Sequence, residues 1–515
     1  VPKEVQTAAA LILRVLPFSI EMRQLAFQPI SDLDGAFQRL ATKHTDDDIS
    51  QSSWLRTMGS KADLGYLGAG GFDLLAACQE AIVRISTVDE DAPFSFRVAT
   101  KFGTIVLSGG KSSTYDEPCL LVIDTGKQDT YLNLPSNRSA ANPISIVLDS
   151  SGDDWYLSEL ALRDTMLEKW PQRGSAPSKP GPSSALLGYS ILLDKSGNDL
   201  YRSHRNGLGS GKFGVSFLVD QAGDDIYDSY QDSQGFGTFG VGVLDDHSGN
   251  DKYFGFSQVQ ACGQTAGVGM LIDRAGDDQY TANDTVIDMP SAQSAQHNVS
   301  MSQGAGNGRR GDYLDGHSLA GGVGILADLS GKDSYTCGIF GQGVGYWEGV
   351  GMLLDESGDD SYLGQWYVQG ASAHFAIGYL DDSAGNDTYT APMNMAQGAG
   401  HDFGIGVLID RLGDDTHKAP NLSLGAGNAN GFGWFVDAAG TDTYDASGVI
   451  LGTVTEAPKT SLRIRALCLG VFIDLSGDDN YPSGSPWAKN AVRTAQVKDR
   501  GPSPAESQLG VFWDR

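Results

Sequence analysis

Basic residues are scarce in this chain: 36 Lys and Arg stand against 64 Asp and Glu over 515 residues, a formal charge of −28 at pH 7. No basic stripe offsets that field, so nucleic acid is excluded as an expected partner. No run of 18 or more apolar residues occurs; the best stretch, Ala8 to Leu16, is short and interrupted by Arg14, so no bilayer span is expected. The five cysteines (Cys78, Cys119, Cys262, Cys337, Cys468) form no CxxC or CxxCH pair. Their odd number leaves at least one unpaired within the chain, so they do not define a redox compartment. Charged residues are only 19%, which excludes a coiled coil and a charge-rich disordered chain. No spacing matches a recognised catalytic motif. Val1 in place of an initial Met fits removal of a leader, so secretion is expected.

What is present is repetition. The phrase D-x-x-G-x-D-x-Y, with small variations, occurs twelve times, beginning at Asp124, Asp149, Asp194, Asp220, Asp246, Asp273, Asp328, Asp355, Asp382, Asp410, Asp437 and Asp474. A second Asp follows five residues later in every copy, and a Tyr seven residues later in all but one, where His417 replaces it. Uninterrupted copies lie 25 to 28 residues apart. The motif carries 24 carboxylates, so the acidity of the chain belongs to the repeat rather than to a tail. A fixed period of this size means stacked units, each unable to bury its apolar face alone. Such a stack grows along one axis and escapes the size limit of a single compact core.

The copies reveal side-chain directions. Two residues before the first Asp the position is always apolar (Leu192, Leu218, Leu244, Leu353, Leu408, Phe435 among them), whereas the next position accepts Asp245 and Asp381. That alternation is a strand with the apolar position inward, and the first Asp shares its parity. Gly at plus three supplies a turn. The second Asp and the Tyr then share one face of a second short strand. A Gln-Gly corner follows, as at Gln234-Gly235, Gln342-Gly343, Gln369-Gly370 and Gln397-Gly398. The expected fold is therefore mainly β: a parallel β-solenoid (β-helix) of about 12 coils of about 27 residues, carrying ladders of Asp, Tyr and Gln.

Residues 1–100 lack the motif. Apolar spacing at Ala10, Leu11, Leu13, Ile20, Met22 and Leu25, and over Leu74 to Ile85, predicts a small helical cap or docking region ahead of repeats at 101–515. Insertions interrupt the period at 157–184, 281–320 and 445–468; Leu157 to Trp170 reads as an amphipathic helix. At the far end Gly510, Phe512 and Asp514 begin a thirteenth motif, which is expected either to continue in the natural protein or to be an open edge for a partner strand.

Segments such as Ser248-Gly249-Asn250-Asp251 and Ala384-Gly385-Asn386-Asp387-Thr388-Tyr389 resemble the nonapeptide G-G-x-G-x-D-x-U-x of RTX-type calcium-binding β-rolls. The resemblance covers about eight residues per coil, and one motif per coil replaces the tandem nonapeptides of that family. It implies bacterial secretion and calcium held between coils at the second aspartates, such as Asp251, Asp278, Asp360 and Asp387, with their preceding glycines. Read from chemistry alone, paired inward carboxylates need either a hard cation or complete hydrogen bonding. The candidate calcium ligands are Asp149, Asp194, Asp220, Asp246, Asp273, Asp328, Asp355, Asp382, Asp410, Asp437 and Asp474. With them go the second aspartates Asp154, Asp199, Asp225, Asp251, Asp278, Asp333, Asp360, Asp387, Asp415, Asp442 and Asp479. The metal-free alternative has both aspartates capping turn amides.

The functional expectation is a non-catalytic, extracytoplasmic structural or binding module of bacterial origin, calcium-stabilised. It would serve as a rigid scaffold or accessory subunit that meets protein partners through its N-terminal region or insertions. The alternative is a polysaccharide-degrading β-helix enzyme, a lyase or hydrolase. It would use His297, Arg309, Arg310, Asp312, Asp315 and His317 of the 281–320 insertion, with Trp347, Trp366 and Tyr367 stacking on sugars. Arg310-Gly311-Asp312 is an RGD tripeptide, and His374 and His401, at similar phases of neighbouring coils, are expected to face solvent.

Overall fold

The computed structural model describes residues 1–42, 49–159, 179–312, 314–455, 462–485, 488–496 and 508–515. Most of the expected helix over Leu157 to Trp170 lies outside them; its first residue closes a strand, Trp155–Leu157. The chain divides into two compact units: Val1–Gly255 with Ala266–Arg274 and Arg310–Leu319, and Phe256–Thr265 with Ala275–Arg309 and Ala320–Arg515.

Both units are built mainly from parallel strands, and most repeats send successive strands to three different sheets. In the N-terminal unit one repeat runs Val215–Asp220, Ile226–Ser233, Phe236–Thr238, and the next begins at Val241–Asp246 in the first sheet again. Pairing is in phase: Leu218 lies beside Leu192 and Leu244, Asp220 beside Asp246, and Tyr227 beside Tyr201 and Tyr253. The C-terminal unit repeats the scheme, with Ile377–Asp382 between Val350–Asp355 and Ile405–Asp410. A one-residue slip would turn every buried Leu and Asp outward, and that fixes the register.

The corner glutamines hold neighbouring repeats together. Gln369 has φ +58°, and its buried Nε2 donates to the carbonyls of Tyr362 and of Thr390 one repeat on, both at 3.1 Å. Gln234 does the same for Tyr227 (3.0 Å) and Phe254 (2.8 Å).

In the N-terminal unit four helices precede the repeats: α1 (Lys3–Ala26), α2 (Leu33–Thr42), α3 (Ile49–Gly59) and α4 (Leu64–Ile85). Asp63 caps α4 by accepting the Gly65 and Tyr66 amides at 3.0 and 3.3 Å. α1 buries Val5, Ala8, Ile12 and Leu16, a stripe at three- and four-residue spacing, in one core with α4 and the first sheet. Its length and apolarity also suffice to cross a membrane, a property the run-length count did not register. α4 reaches the sheet through glycine: a Cβ on Gly70 would lie 2.3 Å from the Tyr189 hydroxyl, and one on Gly71 2.7 Å from Val215 Cγ1. The sheet is consequently buried on both faces here; Ile146, Leu148, Ile191 and Leu193 point away from the aspartates yet are sealed beneath helices.

Two edge strands depart from expectation. Phe94–Thr100, inside the region read as helical, is a strand antiparallel to Gly103–Gly109, so a strand flanks the first repeat while the helices lie on the sheet face. Gln508–Asp514, the thirteenth motif, is not an open edge either. It pairs with Cys468–Asp474 on one side and antiparallel with Val492–Gln496 on the other. The insertion at 445–468 contains a 3-10 turn, Leu462–Arg465.

Candidate functional site

The motif aspartates come together in every repeat, and none of the candidate ligands is more than 4% exposed. The first Asp ends the strand and turns its carboxylate inward. In the N-terminal unit its Oδ1 accepts the amide two residues on, as Asp194 does from Ser196 (3.1 Å) and Asp220 from Ala222 (3.0 Å). Its Oδ2 accepts the tyrosine hydroxyl of the preceding repeat: Tyr156 to Asp194 at 2.5 Å, Tyr227 to Asp246 at 2.5 Å, Tyr280 to Asp328 at 2.7 Å. Towards the C-terminus the hydroxyl bridges two aspartates, Tyr362 lying 3.0 Å from Asp355 and 2.7 Å from Asp382. The rings stack face to face, Tyr335 on Tyr362 at 4.8 Å and Tyr362 on Tyr389 at 4.7 Å.

The second Asp links one repeat to the next. Oδ1 accepts the backbone amide of its counterpart one repeat earlier: Asp199 N–H to Asp225 (2.6 Å), Asp333 to Asp360 (2.6 Å), Asp387 to Asp415 (2.6 Å), Asp415 to Asp442 (2.7 Å). Oδ2 of Asp154, Asp199, Asp225, Asp360, Asp387, Asp415 and Asp442 is buried without a hydrogen-bond donor. Carboxylate oxygens of Asp154, Asp194 and Asp199 lie within 4.8 Å of one another, and those of Asp199, Asp220 and Asp225 form an equal group. Burial, reinforced by the neighbouring first Asp, pushes Asp225 up to about 10 and Asp360 and Asp387 up to about 9. An unpartnered oxygen in a carboxylate-only cluster has two remedies, a proton or a cation, and these groups could hold a metal ion.

No family model, curated protein or solved structure matches this chain. The resemblance to RTX-type repeats therefore rests on the repeated phrase alone.

The exceptional copy shows what the tyrosine contributes. His417 stacks 4.6 Å from Tyr389 and 5.4 Å from Tyr444, fully buried, but neither ring nitrogen has a hydrogen-bond partner. Desolvation pushes it down to about 3, so it is neutral at physiological pH. Its Nε2 stops 3.8 Å from Asp437. Replacing His417→Tyr restores a hydroxyl where the neighbouring repeats place one, and a gain of about 1 kcal/mol is expected in urea unfolding. A loss instead would mean that the pocket is shaped for imidazole.

Several residues of the 281–320 insertion make local contacts. A short hairpin, Pro290–Ser291 with Ser294–Ser302, presents His297 Nδ1 2.6 Å from Asp284 Oδ2. Arg310 binds Asp312 within its own tripeptide, at 2.8 and 3.2 Å. His317 folds back on Asp315, its ring nitrogen 2.8 Å from that carbonyl. His297 and Arg309 belong to the C-terminal unit, whereas Arg310, Asp312, Asp315 and His317 belong to the N-terminal one. Trp366 and Tyr367 are in contact at 5.3 Å, and Trp347 lies 5.8 Å from His374.

The expectation of a solvent-facing His374 is corrected: it is 8% exposed and bonded to Asp402 at 2.7 Å, with the His401 ring edge-on at 5.5 Å. Asp284 and Asp402 were not singled out from sequence, because each pairs with a histidine across a hairpin or a neighbouring repeat. The Lys212–Asp232 ion pair, 2.6 Å and almost fully buried, was missed for the same reason.

Proposed function

We propose that this chain is a parallel β-solenoid serving as a non-catalytic extracytoplasmic scaffold or binding module, with calcium in its aspartate ladder. The observation that carries the reading is the buried Oδ2 without a hydrogen-bond donor at Asp154, Asp199 and Asp225, and again at Asp360, Asp387, Asp415 and Asp442. A catalytic centre needs one distinct constellation; a set of equal, buried, solvent-free carboxylate groups suits a structural spine. Hard oxygen donors favour calcium over softer metals. In the N-terminal unit Asp154, Asp194 and Asp199 would hold one ion and Asp199, Asp220 and Asp225 the next. The ion supplies positive charge to oxygens that otherwise keep a proton. A ladder dependent on calcium suits a compartment rich in it, which supports placement outside the cytoplasm.

The test is thermal unfolding by circular dichroism in EGTA, followed by stepwise return of calcium. A saturable rise in the midpoint is expected, since a ligand at a hundredfold excess over its Kd stabilises by about 2.7 kcal/mol per site. An unchanged midpoint would mean that protons alone close the ladder, and the calcium and its compartment argument would both fall.

A further inference from the structure

Among the described residues of the C-terminal unit one broad apolar surface is uncovered: the face of its first sheet that points away from the aspartates. It is formed by alternate residues of the strands Val323–Asp328, Val350–Asp355, Ile377–Asp382, Ile405–Asp410, Phe432–Asp437, Cys468–Asp474 and Gln508–Asp514. Its side chains include Met352, Ile405, Val407, Trp434, Val436 and Trp513. Ile377, Ile405, Trp434 and Trp513 are each more than a third exposed. In the N-terminal unit the same repeat positions, Ile146, Leu148, Ile191 and Leu193, are apolar too, but helices bury them completely. The pattern in this chain is thus an apolar outer row that is covered wherever the fold provides a cover.

We propose that two copies of this chain cover each other, face against face, through this sheet of the C-terminal unit. Charge selects a second copy. A molecule of net charge −28 repels itself over most of its surface. On these strands, however, Asp381 is the one formally charged residue pointing out; it accepts the hydroxyl of Tyr379 at 2.5 Å and is neutralised by Arg411 at 2.8 and 2.7 Å. The face therefore meets its own copy without opposing charges. Area agrees: seven six-residue strands at about 3.3 Å per residue, stacked at about 4.8 Å, make a rectangle of roughly 670 Å². That falls at the lower end of the roughly 600–1,000 Å² per partner of a stable interface. Flat rows of one spacing also pack sheet on sheet, and a two-fold axis makes a single patch self-complementary.

Sedimentation velocity of the full chain, from sub-micromolar to about 100 μM, tests this. A dimer is expected, tightening as salt screens the repulsion between acidic copies. Ile405→Glu with Trp434→Glu should weaken it by roughly a hundredfold or more, because two carboxylates would be desolvated at the centre. A matched pair on the exposed side of α4, Tyr66→Glu with Val83→Glu, should leave it unchanged. If either glutamate pair alters the far-ultraviolet spectrum, Trp434→Ser alone replaces it, with a smaller weakening expected. A monomer at every concentration would overturn the proposal and leave the face to a different partner. So would a dimer broken by the Tyr66/Val83 pair and spared by the Ile405/Trp434 pair.

Discussion

In metal-free buffer this chain is expected to lose stability as pH rises from about 5 to 9, the reverse of ordinary acid denaturation. The second aspartates are the cause. Burial, with the adjacent first Asp, raises Asp129 to about 8, Asp360 and Asp387 to about 9, and Asp225 to about 10, while burial with the neighbouring Asp479 raises Asp442 to about 6. Burial likewise raises Asp415 and Asp474 to about 7. In the unfolded chain the same groups titrate near 3.9. Across the interval between, the folded state binds more protons, so the stability they lend is complete below about pH 4 and falls as pH climbs through the folded values. Because those values are spread, the loss is a slope and not a step, and neighbouring groups titrate together. A fall in the melting midpoint on the order of 10 °C between pH 5 and 9 is expected. Saturating calcium should abolish it: the cation replaces the protons, so binding releases protons and apparent affinity rises with pH. Melts at five pH values, with and without calcium, give the answer, together with proton release on calcium addition at constant pH. A midpoint that climbs with pH in the metal-free protein would show the ladder ionised and would sink this account.

The repeat is where the sequence was readable. Leu218 and Leu244 are buried because they precede an inward Asp by two residues, and the shared parity of Asp251 and Tyr253 placed both inside. Gln234 and Gln369 sit at corners with left-handed backbone, as the Gln-Gly pairs announce. Less was readable outward. Ile146 and Leu148 are sealed by helices, whereas Val407 and Ile409 are not, though both pairs look alike in sequence. Periodicity reports which side of a strand is apolar, not what lies on it. The same limit hid the hydrogen bond of His374 to Asp402, 28 residues away and one repeat on. The edge strands Phe94–Thr100 and Val492–Gln496 lack the motif altogether, so nothing periodic marked them.

Gly223→Ala is expected to be among the most damaging single substitutions, while Gly68→Ala should be harmless. A Cβ on Gly223 would lie 1.6 Å from the Gly197 carbonyl oxygen and 2.8 Å from Asp225 Oδ1. The clash repeats along the stack, Gly197 against the Gly152 carbonyl at 1.6 Å and Gly249 against that of Gly223 at 1.7 Å. The obstacle is backbone, so no side-chain rotation relieves it; the turns must separate. Separation would stretch the Gly223 amide from the Ser248 carbonyl (3.0 Å) and the Asp199 amide from Asp225 (2.6 Å). A loss of about 4 kcal/mol or more is expected. Gly68, in α4, has nothing within 4 Å of its Cβ position, and Ala there should gain up to about 1 kcal/mol of helix propensity. Urea unfolding with hydrogen exchange distinguishes them: Gly223→Ala should lose protection over roughly the 194–251 segment, Gly68→Ala none. Should Gly223→Ala stay within about 1 kcal/mol of the parent, the close stacking of these turns is wrong. The same displacement draws Asp225 away from Asp199 and Asp220, the carboxylates grouped with it. Calcium should therefore rescue the parent chain but not this variant, which ties the glycine stack to the ion it makes room for.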